Sequence, residues 1–251
     1  MYFRLRYLIL FSAFISVFAC RHKLVVSSVS ETHYSIDQNA VDSSLYKSIA
    51  PYKQSLEKEM SQVLIQSEGA FTKGDGENSL GNFAADAILF ETKKWLGKDS
   101  AMADVVILNK GGLRNSLPKG NITVNHMFEL MPFENEVVLL KLSAEQFSVM
   151  IHKMAEKGAV PMAGIRMLVN NNTPAETYVH GEPYNPTKPY YVITSDYLAN
   201  GGDSYSFFSN PLERKATGIK VRDMFINYCK DLNAAGKTLK PYLDGRFQTS
   251  K

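Results

Sequence analysis

Val105-Val106-Ile107-Leu108-Asn109-Lys110-Gly111-Gly112-Leu113-Arg114 is a short apolar run that stops at an amide and a glycine pair. A second stretch, Thr194-Ser195-Asp196-Tyr197-Leu198-Ala199-Asn200-Gly201-Gly202-Asp203, follows the apolar residues 190–193 and has the same design. Each reads as a buried strand that ends in a glycine turn. Glycine at such a turn permits φ > 0 and lets a ligand come close to the main chain. Glycine pairs are common in ordinary loops, so the flanking residues carry the argument. The first loop offers a neutral amide, Asn109, and a fixed cation, Arg114. The second offers a flat ring, Tyr197, an amide, Asn200, and a carboxylate, Asp203. That set suits a ligand with an aromatic part, a polyol part and an anionic part, and a nucleotide is such a ligand.

Working outward, apolar positions predict the framework. Val41, Leu45, Ile49, Leu56, Met60 and Val63 recur at helical spacings and predict a helix from Asp37 to about Gln66, with a kink at Pro51. Ser79 to Leu96 is a second helix, on which Asn82 and Asp86 lie one turn apart. Asp104 to Leu108, Glu136 to Leu142, Ile165 to Asn170 and Tyr190 to Thr194 are strands, and a helical turn is expected at Asn125 to Leu130. Ser143-Ala144-Glu145-Gln146 is a capping box that opens a helix running to about Lys157. Pro174 to Pro189 is a proline-rich loop or hairpin, and Lys220 to Leu232 a last helix. Strands and helices mix without strict alternation. The fold class is therefore α/β (mixed α+β), one domain with a mixed sheet and flanking helices.

The N-terminus bears on compartment. Arg4 and Arg6 precede an apolar run, Tyr7 to Ala19, that ends at Cys20. The pattern reads as a secretory signal over residues 1–19, too short to span a bilayer comfortably. Val17-Phe18-Ala19-Cys20 resembles a bacterial lipoprotein cleavage box, with lipid on the Cys20 thiol. Phe18 departs from the small residue usual there, so plain secretion stays open. Residues 20–36 read as a tether. The expected location is an exported lipoprotein on a periplasm-facing membrane or the cell surface. With Cys20 lipidated, Cys229 has no partner within the chain and reads as a buried structural thiol.

Charge and histidine placement exclude other classes. The net charge is +3 and falls when Arg4 and Arg6 leave with the signal, which argues against nucleic acid as a partner. His22, His33, His126, His152 and His180 are dispersed and form no metal motif. No Gly-x-Ser-x-Gly elbow, phosphate-binding Walker loop or dinucleotide fingerprint occurs.

Four segments together carry a family resemblance: Leu80-Gly81-Asn82-Phe83-Ala84-Ala85-Asp86-Ala87, Ile107 to Arg114, Leu130-Met131-Pro132-Phe133-Glu134-Asn135, and Tyr197 to Asp203. In this order they resemble the C-terminal domain of the 5′-nucleotidase / UDP-sugar hydrolase family. The likeness covers roughly residues 45 to 230, and it implies a 5′-nucleotidase C-terminal-like domain over 37–251. It further implies that Asn109, Gly111, Gly112, Arg114, Phe133, Tyr197, Asn200, Gly201, Gly202 and Asp203 bind substrate. Phe133 and Tyr197 would sandwich the base, Asp203 would take the ribose hydroxyls, and Arg114 would lie near phosphate. Read without the resemblance, Arg114 is more readily a helix cap or an ion-pair partner than a ligand group, the two aromatics are core residues, and Asp203 is an Asx turn or a helix N-cap. Tyr at 197 replaces a frequent Phe. Many relatives carry an additional phosphate-binding Arg before the first motif. Here that segment, Thr72 to Ser79, has only Lys73 as a cation, set against Asp75 and Glu77.

Full enzymes of that family also carry a metallophosphoesterase domain with two metal ions. The motifs of that domain do not occur in this sequence, so no catalytic residue and no cofactor is assigned to this chain. Divalent metals are expected only in a separate metallophosphoesterase chain. The expected function is the nucleotide- or nucleoside-recognition half of an exported 5′-nucleotidase-type hydrolase, held to the membrane through a lipid anchor. The alternative is a stand-alone nucleoside- or nucleotide-binding lipoprotein without catalysis.

Overall fold

The computed structural model describes residues 30, 31 and 43–250. The expected signal segment 1–19, Cys20 and all of the tether except Ser30 and Glu31 lie outside the described residues. Two compact units are distinguished, Met1–Ser48 and Ile49–Lys251. Of the first, only Ser30, Glu31 and the helical residues 43–48 are described.

In chain order the elements are α1 (Ser43–Met60), β1 (Val63–Ser67), α2 (Ser79–Leu96), β2 (Val105–Ile107), β3 (Gly120–Thr123), α3 (Val124–Leu130) and β4 (Glu136–Leu142). They continue with α4 (Ala144–Lys157), β5 (Met162–Ala163), β6 (Ile165–Asn170), β7 (Thr173–Val179), β8 (Glu182–Pro183) and β9 (Tyr190–Ser195). The last are α5 (Asp196–Ala199), β10 (Glu213–Lys220), α6 (Val221–Ala234) and β11 (Phe247–Ser250). The mixed α/β class expected from sequence is the class observed.

The central sheet has the order β10-β4-β9-β2-β5. Only its β2–β9 pair is parallel; β4–β9, β4–β10 and β2–β5 are antiparallel. Both faces of this sheet are covered. Val106, Val137, Leu139 and Ile193 point into one apolar cluster, with Phe83, Ile88 and Phe225 of α2 and α6. Val105, Ile107, Val138, Leu140 and Val192 point into another, with Phe147, Met150 and Met154 of α4. Burial on both faces explains why β2 and β4 read as nearly unbroken apolar runs. A second sheet, β11-β6-β7-β8, adds Ile165, Met167, Val169 and Phe247 to the α4 cluster. The edges of the central sheet are blunted by length and by charge. At one edge β5 has two residues. At the other, β10 is largely exposed, and its Glu213 pairs with Lys141 directly across on β4 at 2.6 Å.

Helix ends follow local chemistry. Ser143 and Gln146 form the expected capping box on α4, and Thr123 with His126 forms a second on α3. Asn78 caps α2 by accepting from the Gly81 amide at 2.8 Å.

One expectation fails at the start of the domain. The helix expected from Asp37 to Gln66 ends at Met60, and Val63–Ser67 is a strand paired antiparallel with β3. Leu64 and Ile65, adjacent in sequence, are both buried, and Val63, counted toward the helical stripe, is exposed. Pairing with β3 and burial of Leu64 and Ile65 outweigh a helical period of moderate strength. Leu45, Ile49 and Leu56, the apolar stripe of α1, are exposed.

Gly164 joins β5 to β6 where no other residue fits. Its φ is +74°, and an added Cβ would lie 2.0 Å from the Asp104 carbonyl oxygen beside β2. Left-handed backbone costs a non-glycine residue roughly 1–2 kcal/mol, and forced overpacking about 1–3 kcal/mol more. Gly164→Ala is therefore expected to lose about 2–5 kcal/mol in denaturant unfolding. A loss under about 1 kcal/mol, within the ordinary surface range, would contradict this close approach.

Candidate functional site

Parallel pairing of β2 with β9 sets Val105 opposite Val192 and Val106 opposite Ile193. The two strands therefore end at the same edge, and each runs straight into one of the glycine loops. Thr194 Oγ1 donates to the Ile107 carbonyl at 2.8 Å inside the core, which ties the two ends together. β4 runs antiparallel to β9, with Val137 opposite Ser195, so its N-terminal end and the preceding Phe133-Glu134-Asn135 arrive at the same edge. Three of the four motifs converge here for one topological reason, and such an edge at the carboxyl ends of parallel strands is where open α/β sheets place ligands.

The first loop turns tightly. Lys110–Gly112 is a 3₁₀ turn, and a Cβ on Gly112 would lie 2.9 Å from Asn109 Oδ1, so the amide packs flat on the glycine. Arg114 holds its main chain by donating to the Leu130 carbonyl at 2.7 Å. Its guanidinium is exposed and reaches back to the Gly111 carbonyl at 3.3 Å. Lys73, the lone cation of the segment before α2, donates to the Arg114 carbonyl at 2.9 Å. Lys110 donates to the Asp75 carbonyl at 3.1 Å. Both lysines line a cavity of about 300 Å³ together with Asn78 and Leu113.

The second loop begins with Ser195 capping α5. Gly201 has φ +89°, and Asp203 and Ser204 are also left-handed, at φ +51° and +63°. A carboxylate residue held in that region is a strained position that the surroundings must enforce. Lys157 does part of this by donating to the Asp203 main-chain oxygen at 2.8 Å, while its ammonium stands 4.8 Å from the Tyr205 ring centre. The Tyr197 ring lies over Gly202, where a Cβ would meet three ring carbons at 2.5–2.6 Å. Gly202 is glycine because of that ring.

Asp203 is the junction of the two loops. Tyr197 OH donates to Oδ1 at 2.8 Å, and Asn109 Nδ2 donates to Oδ2 at 2.5 Å. The bond to Asp203 also raises the Tyr197 phenol above its ordinary pKa. Asn109, Gly112, Tyr197, Gly202 and Asp203 thus form one contiguous patch. Asn200 sits at its margin, with its side-chain carbonyl held by Arg214 of β10 at 2.8 Å. Phe133 and Tyr197 are partly exposed, at 43% and 44% of their surface.

Two groups that join these parts do not stand out in the sequence. Asp196 Oδ1 accepts from Asn135 Nδ2, the Glu136 amide and the Tyr197 amide at 2.9, 3.2 and 2.7 Å, and so ties the Phe133 loop to the Tyr197 loop. Buried Arg222, in the first turn of α6, donates to the Met131 carbonyl at 3.2 Å and pairs with Glu134. Lys220 and Arg222 together hold the Glu134 carboxyl down to about 2. Asp196 lies beside Tyr197 in the second glycine stretch, a signal that could have found it; Arg222 lies in a helical period that offers none.

Other candidates have structural work. Asn82 donates to Glu77 and to the Tyr242 carbonyl, and Asp86 pairs with buried Arg246 at 2.8 Å, so this helix face pins the C-terminal segment. His126 caps α3. Cys229 is buried, and burial pushes its thiol up to about 12. Among the described residues no group of three or more His, Cys, Asp or Glu side chains is placed to hold a metal, and no helix is long and apolar enough to cross a membrane. A cavity of about 740 Å³ lies between the β6–β7 hairpin and residues 242–248, lined by Arg166, Glu176, Tyr178, His180 and Arg246. None of the expected ligand-binding residues lines it.

The family described as 5′-nucleotidase, C-terminal domain, matches residues 60–210. The trifunctional nucleotide phosphoesterase protein YfkN of Bacillus subtilis is 28% identical over 188 residues, covering 68% of this chain and 12% of its own length. Protein UshA of Salmonella pullorum is 30% identical over 146 residues, covering 55% of this chain and 26% of its own. The crystal structure of a 5′-nucleotidase precursor from Thermus thermophilus superposes with a TM-score of 0.68 at 24% identity, over 81% of this chain and 42% of that one. At that identity the likeness is one of fold. The chain thus spans less than half the length of each of these relatives. With the family pattern covering most of the folded part, this chain belongs to the 5′-nucleotidase C-terminal domain family.

Proposed function

We propose that this chain is the nucleotide- or nucleoside-recognition part of an exported 5′-nucleotidase-type hydrolase. The observation that supports this best is the Asn109–Asp203–Tyr197 junction at the ends of the parallel strands. A base stacks on Tyr197 and Phe133, which in comparable systems contributes about 1–3 kcal/mol. The Asp203 carboxylate accepts from sugar hydroxyls. Arg114 takes phosphate through a planar fork that a lysine does not reproduce. Lys73, held at the Arg114 main chain, adds a positive charge beside it. Asn200, bonded to Arg214, orients the loop at the margin.

Hydrolysis in this reading draws on a metal-bearing metallophosphoesterase unit, supplied as a separate chain. Divalent metals held by that unit would supply an activated water and Lewis-acid stabilisation of the phosphoryl group. The loops described here orient the substrate against them, and orientation alone can lower a barrier by several kcal/mol. Export follows from the N-terminal pattern, with lipid on Cys20 as the anchor.

Titration calorimetry and thermal unfolding of the chain test recognition, because a ligand specific for the native state raises its stability. Nucleosides and nucleoside monophosphates are expected to raise the midpoint saturably. Asp203→Ala should weaken nucleoside binding about tenfold or more, the scale of a lost hydrogen bond to a charged group. Arg114→Ala should abolish only the extra affinity of the monophosphate over the nucleoside. No saturable response to any nucleoside or nucleotide would overturn the proposal. For export, Cys20→Ser is expected to move the protein from the membrane fraction to the soluble one. Retention in membranes would contradict the lipid anchor.

A further inference from the structure

We propose that the Tyr197 hydroxyl is a built-in competitor for sugar hydroxyls at Asp203, so that a ribose hydroxyl approaching Oδ1 from the same side must displace it. This rests on the reading that the two loops hold a nucleoside, and it adds a specificity role for one atom. Each Asp203 oxygen already has a donor from the protein, Tyr197 OH on Oδ1 at 2.8 Å and Asn109 Nδ2 on Oδ2 at 2.5 Å. The main chain that carries the carboxylate is held in place. It is left-handed, follows a left-handed Gly201, and is bonded at its carbonyl by Lys157.

The tyrosine ring is fixed as well. One face lies over Gly202 at a distance that leaves no room for a Cβ. The other face is open, since 44% of the residue is exposed. A base can stack on that open face while the ring stays in place. The hydroxyl is then the only part of Tyr197 that conflicts with the sugar. A ligand that must first break a contact binds with its intrinsic affinity reduced by the fraction of molecules in which that contact is open. A phenylalanine ring in the same place would stack equally and leave Oδ1 to water and ligand.

The competition depends on the sugar. A vicinal diol offers two donors and seeks both oxygens. A 2′,3′-dideoxyribose offers none and leaves the tyrosine bond intact. The hydroxyl therefore weakens ribonucleosides selectively. It also speeds their departure, because the protein supplies a replacement donor as the sugar leaves. A released nucleoside product keeps its base and ribose after phosphate is gone, so this contact acts on the species that has to be let go.

The test measures adenosine and 2′,3′-dideoxyadenosine binding to the wild-type chain and to Tyr197→Phe by calorimetry. Thermal midpoints of both proteins check that the variant folds. The expected result is adenosine bound about three- to tenfold tighter by the Phe variant, the scale of an exposed hydrogen bond, with dideoxyadenosine changed by less than about twofold. Tyr197→Ala serves as a second variant and should weaken both ligands through lost stacking. Unchanged or weaker adenosine binding by the Phe variant overturns the competitor. An equal gain for both ligands overturns it too, because the effect then has nothing to do with the diol. If neither protein binds either ligand, the recognition reading itself falls and takes this inference with it. That outcome is distinct from the other two, in which binding persists.

Discussion

Parallel pairing between β2 and β9 is the constraint on which the edge carrying the glycine loops depends. Two strands far apart in sequence finish side by side, each delivering a glycine loop, and antiparallel β4 returns the Phe133 loop to the same place. A parallel pair needs long crossover chain between its strands. Here the crossover contains β3, α3, β4, α4 and the β5–β8 strands, so a large part of the domain is built between the two strands that form this edge. The buried Thr194–Ile107 bond sits at the last rung of the pair. Loss of that bond would leave an unsatisfied carbonyl in the core, where the cost is larger than the bond's net contribution.

The loops themselves are locally unfavourable. Asp203 and Ser204 are left-handed, and Gly112 and Gly202 lie under side chains with no space for a Cβ. Such geometry persists only where neighbours enforce it. Asn109, Tyr197 and Lys157 enforce it at Asp203, and Asp196 enforces the relation between the Tyr197 and Phe133 loops. The same groups that hold Asp203 in place also hydrogen-bond its carboxylate.

Much of the framework is legible in the sequence because local and tertiary signals agree. The Ser143–Gln146 box marks α4, and the unbroken apolar runs of β2 and β4 mark a sheet covered on both faces. β1 reads as helix because helical spacing continues from α1 into Val63, whereas pairing with β3 decides the outcome. β10, Glu-Arg-Lys-Ala-Thr-Gly-Ile-Lys, has no apolar alternation because it is a solvated edge, and what marks it is the cross-strand Lys141–Glu213 pair. Arg246, just before β11, depends on Asp86, 160 positions earlier, which no local pattern reports. In the site, the motif residues Asn109, Tyr197 and Asp203 are legible as types. Their mutual bonds are not, because sequence spacing cannot place two loops within hydrogen-bond reach. Asn200 is expected among the ligand-binding groups, and the structure gives its side chain to Arg214.

A crystal structure of the chain with a bound ribonucleoside tests the central claim most directly. The account predicts electron density for the base against the open face of Tyr197, with the ribose hydroxyls on Asp203 and the tyrosine hydroxyl no longer on Oδ1. Density in the cavity lined by Arg166, Glu176, Tyr178 and Arg246, with the Asn109–Asp203–Tyr197 junction unchanged, would contradict it.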